Sequence, residues 1–129
     1  MSYISNVNIV DGSIKDSNSS LLCIGVYKDH SMTSNGSDLD QESGGAISSA
    51  IKVGDIKGKT GEVNYFYINN RRFVLIGLGK KNEISAETVR LAAGSAMRAS
   101  ISKKADSVTI DCFCSGLGSC QAMGEGIVL

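Results

Sequence analysis

The sequence has 129 residues, the length of one domain, and its 42% of hydrophobic residues suffice for a core of its own. Thirteen Lys and Arg balance thirteen Asp and Glu, and this neutrality does not favour nucleic acid or an anionic membrane as a partner. No apolar run approaches the roughly 18 residues that cross a bilayer, and residues 1–6 lack the features of a signal peptide. We therefore expect a cytoplasmic protein with reduced cysteines.

The first half of the chain predicts two strands and an interrupted helix. Alternation predicts a strand over residues 7–10, and the apolar run 21–27 predicts a strand that is covered on both faces. A helix is expected to begin at a Ser37 cap, to be interrupted at Gly44-Gly45 and to end before Gly54.

The second half predicts a hairpin, a long helix and a last strand. Aromatic and β-branched residues predict a strand over 63–68, Asn69-Asn70 predicts a turn, and 73–78 predicts a buried strand. Ser85 caps the clearest helix, and a strand follows at 107–111. The helix places apolar residues three and four apart, at Val89, Ala92, Ala93, Ala96, Met97 and Ile101.

Strands that alternate with amphipathic helices predict an α/β fold, a three-layer sandwich with helices on both faces of a mixed, mostly parallel sheet. The closely spaced strands within 63–78 are expected to be antiparallel. We expect residues 1–129 to form a single domain. The apolar residues 127–129 predict that the chain belongs to a longer protein, since exposed termini gain little from such residues; the alternative is a short C-terminal helix in the core.

One motif suggests a ligand. Gly44 and Gly45 open a helix, where backbone N–H groups are free to meet an anion, so both are candidate ligand-binding residues. The alternative is a flexible joint that allows close packing of the helix.

Other motifs fall short of a site. The segment 54–60 has three residues between its glycines instead of the four of a phosphate-binding loop, and a helix rather than a strand precedes it. The segment 77–81 lacks the third glycine of a dinucleotide fingerprint. Cys112 and Cys114, with Cys120, are more typical of buried thiols than of a zinc site. The residues alone predict no catalytic and no metal-binding group.

Several segments, in order, resemble the N-terminal domain of the leucyl aminopeptidase (cytosol aminopeptidase) family. The segment 39–52 resembles the family's Gly-Gly helix, and 54–62 is similar to its Gly-Lys-x-Gly-Glu turn. The segment 73–81 resembles its Val-Leu-x-Gly-Leu-Gly-Lys strand and turn, and 89–96 its Arg-x-Ala-Ala-Gly-x-Ala helix. Residues 121–126 resemble the start of its Ala-Glu-Gly linker helix.

The resemblance implies a macro-domain-like fold and a non-catalytic, regulatory or assembly role. In this family a separate C-terminal domain binds two divalent metals, manganese or zinc, through an Asn-Thr-Asp-Ala-Glu-Gly-Arg-Leu signature that no segment here matches. The expected partners are that catalytic domain and the other subunits of a homohexamer, without membrane or nucleic acid. An alternative implied by the fold is a module that binds an anionic nucleotide such as ADP-ribose at Gly44 and Gly45.

Overall fold

The computed structural model describes residues 6–10, 13–14 and 17–111, which form five strands and three α-helices. The strands are β1 (Asn6–Val10), β2 (Leu21–Tyr27), β3 (Val63–Ile68), β4 (Arg71–Gly79) and β5 (Ser107–Asp111). The helices are α1 (Ser34–Glu42), α2 (Ala46–Lys52) and α3 (Ala86–Ser102). The alternative C-terminal helix, the segment 121–126 that resembles a linker helix, and the Cys112, Cys114 and Cys120 thiols lie outside the described residues.

The five strands form one sheet in the order β1-β5-β2-β4-β3. The first four strands in that order run parallel, and β3 is antiparallel to β4. Asn69 and Asn70 join β3 to β4 with φ of 52° and 64°, the left-handed backbone of a two-residue hairpin turn. The predicted mixed, mostly parallel sheet and its antiparallel hairpin are confirmed.

Apolar side chains cover both faces of the sheet. On one face α3 packs on alternate residues of the central strands, among them Leu21, Cys23 and Ile76. On the other face the cluster includes Leu22, Ile24, Leu75 and residues of α1 and α2. The predicted three-layer sandwich with helices on both faces is therefore confirmed, and β2 is apolar throughout because both of its faces are buried.

The predicted start of the first helix is wrong. Ser37 is not its cap, because α1 begins at Ser34 and the N–H of Ser37 already bonds to the carbonyl of Thr33 at 3.1 Å. Gly36, which is typical of a loop, instead allows a close approach to the sheet: a Cβ there would lie 2.8 Å from Cβ of Met32 and 3.2 Å from Ile24. Tertiary packing therefore overrides the local signal.

The prediction for α3 holds with one exception. The hydroxyl oxygen of Ser85 accepts the Thr88 N–H at 3.2 Å, which caps the helix. Ala92 and Ala96 are fully buried against the sheet, as expected for small residues at a close contact. Ile101, in contrast, is 43% exposed, although its neighbour Ser100 in the same turn is fully buried.

Cys23 lies in the centre of the sheet and should be chemically inert. Burial raises the pKa of its thiol to about 12, and a side-chain hydrogen bond with Ser100 opposes this rise. We expect iodoacetamide to leave Cys23 unmodified in the native protein at neutral pH and to modify it in urea, as read by mass spectrometry of its peptide. Equal modification rates in the two conditions would contradict this burial.

The same raised pKa gives a pH dependence. A thiol that ionises at pH 9.0 in the unfolded chain and at about 12 in the folded protein stabilises the fold below pH 9.0. That contribution is lost as the pH rises towards 12. We expect the free energy of unfolding to fall over this range, and to fall less for Cys23→Ala in matched denaturant titrations.

Candidate functional site at the sheet edges

The carboxyl edge of the parallel strands is where open α/β sheets bind ligands. In this protein the edge is formed by the ends of β2, β4 and β5, at Tyr27, Gly79 and Asp111. Two arrangements of side chains and backbone fill it, a buried polar network at the end of β5 and a turn packed against the ends of β2 and β4.

Asp111 is the centre of the buried network and is only 3% exposed. Its carboxylate accepts a hydrogen bond from the amide of Asn35 at 3.0 Å and one from the hydroxyl of Thr33. The side-chain oxygen of Asn35 in turn accepts the N–H of Ile14 at 3.1 Å. The network ties the start of α1 to β5, and it explains why the Thr33 hydroxyl does not cap α1.

The glycine turn, residues 57–62, crosses the ends of β2 and β4. The Gly77 N–H donates to the carbonyl of Glu62 at 2.8 Å, and the Gly79 N–H donates to that of Gly58 at 2.8 Å. A Cβ on Gly77 would lie 1.8 Å from the carbonyl oxygen of Lys59, and one on Gly58 would lie 2.3 Å from that of Tyr27. Only glycines allow this approach.

The side chain of Glu62 closes the turn from within. Its Oε1 atom accepts the N–H groups of Lys57 and Gly58, each at 2.9 Å. Glu62 and the glycines that carry the resemblance to the Gly-Lys-x-Gly-Glu motif therefore serve a structural contact. No phosphate loop forms there, because α2 precedes the turn and β3 follows it.

Gly44 and Gly45 lie near the opposite edge of the sheet. Glu42 ends α1 and accepts a hydrogen bond from Asn69 at 3.0 Å, which places this end of α1 beside the amino end of β4. Both glycines are left-handed, with φ of 72° and 88°, and a Cβ on either would meet no atom within 4 Å. Their role in the backbone is to turn the chain from α1 into α2.

The N–H groups around this junction have partners within the chain. Those of Gly44 and Gly45 donate to the carbonyls of Gln41 at 3.1 Å and Asp40 at 2.7 Å. The Ser48 N–H donates to the carboxylate of Asp40 at 2.9 Å, and the Ser48 hydroxyl donates to its second oxygen. An internal carboxylate thus occupies the start of α2. Ligand binding by Gly44 and Gly45 stays a prediction.

We expect Asp40→Ala to destabilise the protein by about 1 kcal/mol in urea titrations, as the loss of a helix cap does. Partial burial acts to raise the pKa of Asp40, but hydrogen bonds from Ser48 and Ile47 outweigh it and hold the pKa below 3.8. The stabilisation is therefore present above pH 3.8 and is lost as the pH falls below it. Asp38→Ala, an exposed change on the same helix, should cost less than about 0.5 kcal/mol; equal losses would contradict the contact.

A cleft of about 510 Å³ separates α1 from the sheet. Its lining combines the buried side chains of Ile24 and Phe73 with the charged side chains of Asp38, Glu42 and Arg71. The guanidinium of Arg71 lies 5.5 Å from the centre of the Phe73 ring and donates to the carbonyl of Ser17 at 2.6 Å. Among the described residues that line this cleft, no nucleophile lies beside a general base.

The described residues contain no group of three or more His, Cys, Asp and Glu side chains that could hold a metal ion. None of the helices in that part of the chain has the length and apolar character to span a bilayer.

Comparison with known proteins identifies the family. Residues 23–129 match the family model of the N-terminal domain of the cytosol aminopeptidase family. Cytosol aminopeptidase of Dictyostelium discoideum is 32% identical over 115 residues, which cover 82% of this chain and 22% of that protein. Probable cytosol aminopeptidase of Nitrosococcus oceani is 28% identical over 98 residues, 73% of this chain and 20% of that protein. The chain thus matches about a fifth of the length of these relatives.

Solved structures show the same fold. The structure of a tomato leucine aminopeptidase mutant is similar over 98% of this chain and 28% of the tomato chain, with a TM-score of 0.76 and 23% sequence identity. The macrodomain of Mycobacterium tuberculosis DarG is similar over 95% of this chain and 87% of the DarG chain, with a TM-score of 0.70 and 10% sequence identity. The predicted macro-domain-like fold is confirmed. Because the family model matches residues 23–129, which are most of the chain, the chain belongs to the cytosol aminopeptidase family and represents its N-terminal domain.

Proposed function

We propose that this chain is the non-catalytic N-terminal domain of a two-metal leucyl aminopeptidase, and that it serves regulation or assembly. The match to the family model over residues 23–129 carries the proposal. The named relatives are aminopeptidases about five times the length of the matched region, which leaves room for a separate C-terminal catalytic domain. Because these relatives are named cytosol aminopeptidases, we propose a cytosolic location.

The proposed reaction removes N-terminal residues from peptides. Two divalent metals, manganese or zinc, would polarise the peptide carbonyl and activate a water when bound in the catalytic domain. The residues described here do not fit such a pair of metals, since none of them forms a cluster of metal-ligating side chains. The part we assign to this chain is to fold independently and to contact its catalytic domain in a homohexamer.

The test compares two proteins, this chain alone and the same chain continued into the catalytic domain. We expect only the longer protein to release p-nitroaniline from leucine p-nitroanilide in the presence of manganese or zinc. Removal of residues 1–129 from the longer protein should change the number of subunits in its assembly, measured by sedimentation equilibrium, or its kcat. Turnover by the short chain, or an inert longer protein with either metal, would contradict the proposal.

The alternative function is binding of ADP-ribose at Gly44 and Gly45. It requires backbone N–H donors that already have hydrogen-bond partners within the chain. Since Asp40 occupies the start of α2, an anion must displace a carboxylate that is part of the same chain. Calorimetry with ADP-ribose distinguishes the two functions. If millimolar ADP-ribose gives no heat of binding, only the proposed domain role remains. Binding that is weakened by Gly44→Ala or Gly45→Ala would favour the alternative.

A further inference from the structure

β3 forms one end of the sheet, so one of its backbone edges has no neighbouring strand in the described part of the chain. It pairs with β4 over six residues without a register shift. Its sequence, Val-Asn-Tyr-Phe-Tyr-Ile, has none of the charges, prolines or bulges that usually protect such an edge. A strand edge of this kind can accept a further extended segment through main-chain hydrogen bonds.

A groove of about 390 Å³ lies between this edge and α3. Val63 and Tyr65 of β3 form one side, and Ser95, Arg98 and Ser102, spaced along one face of α3, form the other. The small side chains at 95 and 102 leave the groove open. An added strand would therefore place alternate side chains on the face of the sheet that α3 covers, beside Val63 and Tyr65.

Two cations border the groove. Arg98 is exposed, and its guanidinium donates to the hydroxyl of Ser95 at 3.2 Å. The ammonium of Lys103 lies 4.4 Å from the centre of the Tyr65 ring and 5.9 Å from that of Tyr67, which is 64% exposed. Neither cation forms an ion pair with the carboxylates of the described residues. The groove thus combines an open strand edge with positive charge.

We propose that this groove binds an extended acidic peptide segment, which adds to β3 as a further strand and directs alternate carboxylates to Arg98 and Lys103. The inference does not depend on the aminopeptidase function. A second copy of the chain is a poorer occupant, because antiparallel pairing about a two-fold axis would bring a second Arg98 and Lys103 to the same face. Nucleic acid fits the charge but has no peptide backbone to pair with β3.

The test is fluorescence anisotropy of the full chain with a labelled peptide that alternates Glu and Val. We expect binding in the micromolar range that weakens as salt is added. The same peptide with Lys in place of Glu, and a version N-methylated at alternate backbone nitrogens, should each bind at least about tenfold more weakly. The amides of β3 should gain protection from hydrogen exchange on binding.

Matched double variants distinguish binding in the groove from a general effect of positive charge on the chain. Arg98→Gln with Lys103→Gln should weaken binding about tenfold. Arg90→Gln with Lys52→Gln removes the same charge from outside the groove and should change binding less than about twofold. Circular dichroism would verify that both variants fold.

Three results would overturn the proposal. They are no binding of the acidic peptide, equal binding of the N-methylated peptide, and equal effects of the two double variants. Tighter binding of single-stranded DNA that competes with the peptide would point to a polyanion surface instead, and dimers in sedimentation that Tyr67→Lys abolishes would point to a second copy.

Discussion

Gly77→Ala is expected to lower the free energy of unfolding by about 3 kcal/mol. The new methyl group would lie 1.8 Å from the carbonyl oxygen of Lys59, so the glycine turn must move away from β4. Such a shift combines overpacking with the loss of hydrogen bonds to Gly61 and Glu62, which are 2.9 and 2.8 Å long. Thermal unfolding should show a fall in Tm of about 10 °C.

Gly44→Ala is the control for backbone strain. Gly44 has a φ of +72°, and its Cβ would meet no atom within 4 Å, so alanine should cost only about 1 kcal/mol. Gly77 does not have a left-handed backbone, so the cost of alanine at this position depends on space alone. If the two variants lose the same stability, the contact between the glycine turn and β4 is not the cause.

Asp111→Ala should cost about 3 kcal/mol, measured in urea. The change leaves the buried amide of Asn35 and the hydroxyl of Thr33 without their acceptor, and each lost bond to a carboxylate costs on the order of 1.5 kcal/mol or more. It also releases the start of α1 from β5.

A double-mutant cycle identifies the network as the cause. Asn35→Ala combined with Asp111→Ala should cost clearly less than the sum of the single changes, because both single changes remove the same hydrogen bond. Asp55→Ala, at an exposed position, should cost less than about 0.5 kcal/mol. Additive losses at 35 and 111 would exclude the network.

The strands and the hairpin could be predicted from the sequence because their signals are local. An apolar run such as 21–27 has few alternatives to a buried strand, and Asn69-Asn70 tolerates the left-handed backbone of a tight hairpin. The start of α1 could not be predicted from its own segment. The hydroxyl of Thr33 bonds to Asp111 of β5, and Gly36 packs closely against Met32 and Ile24, so both roles depend on contacts that form only in the folded chain.

The candidate site was harder to predict for the same reason. The Gly44-Gly45 motif correctly marks a turn between helices, but the role of Asp40 as an internal partner of Ser48 requires the folded geometry. Asn35 and Asp111 are separated by 76 positions. Their only signal in the sequence is an acidic residue at the end of an apolar strand.

The pairing of β1 has a consequence for synthesis on the ribosome. Asn6 faces Ser107, and β5 is the sole neighbour of β1 in the described sheet. β1 leaves the exit tunnel long before β5 and must therefore wait for its partner until nearly all of the described chain has been translated. During this delay β2, β3 and β4 can assemble while β1 stays open to chaperones or to other nascent chains, so slow translation just before residue 107 should increase aggregation.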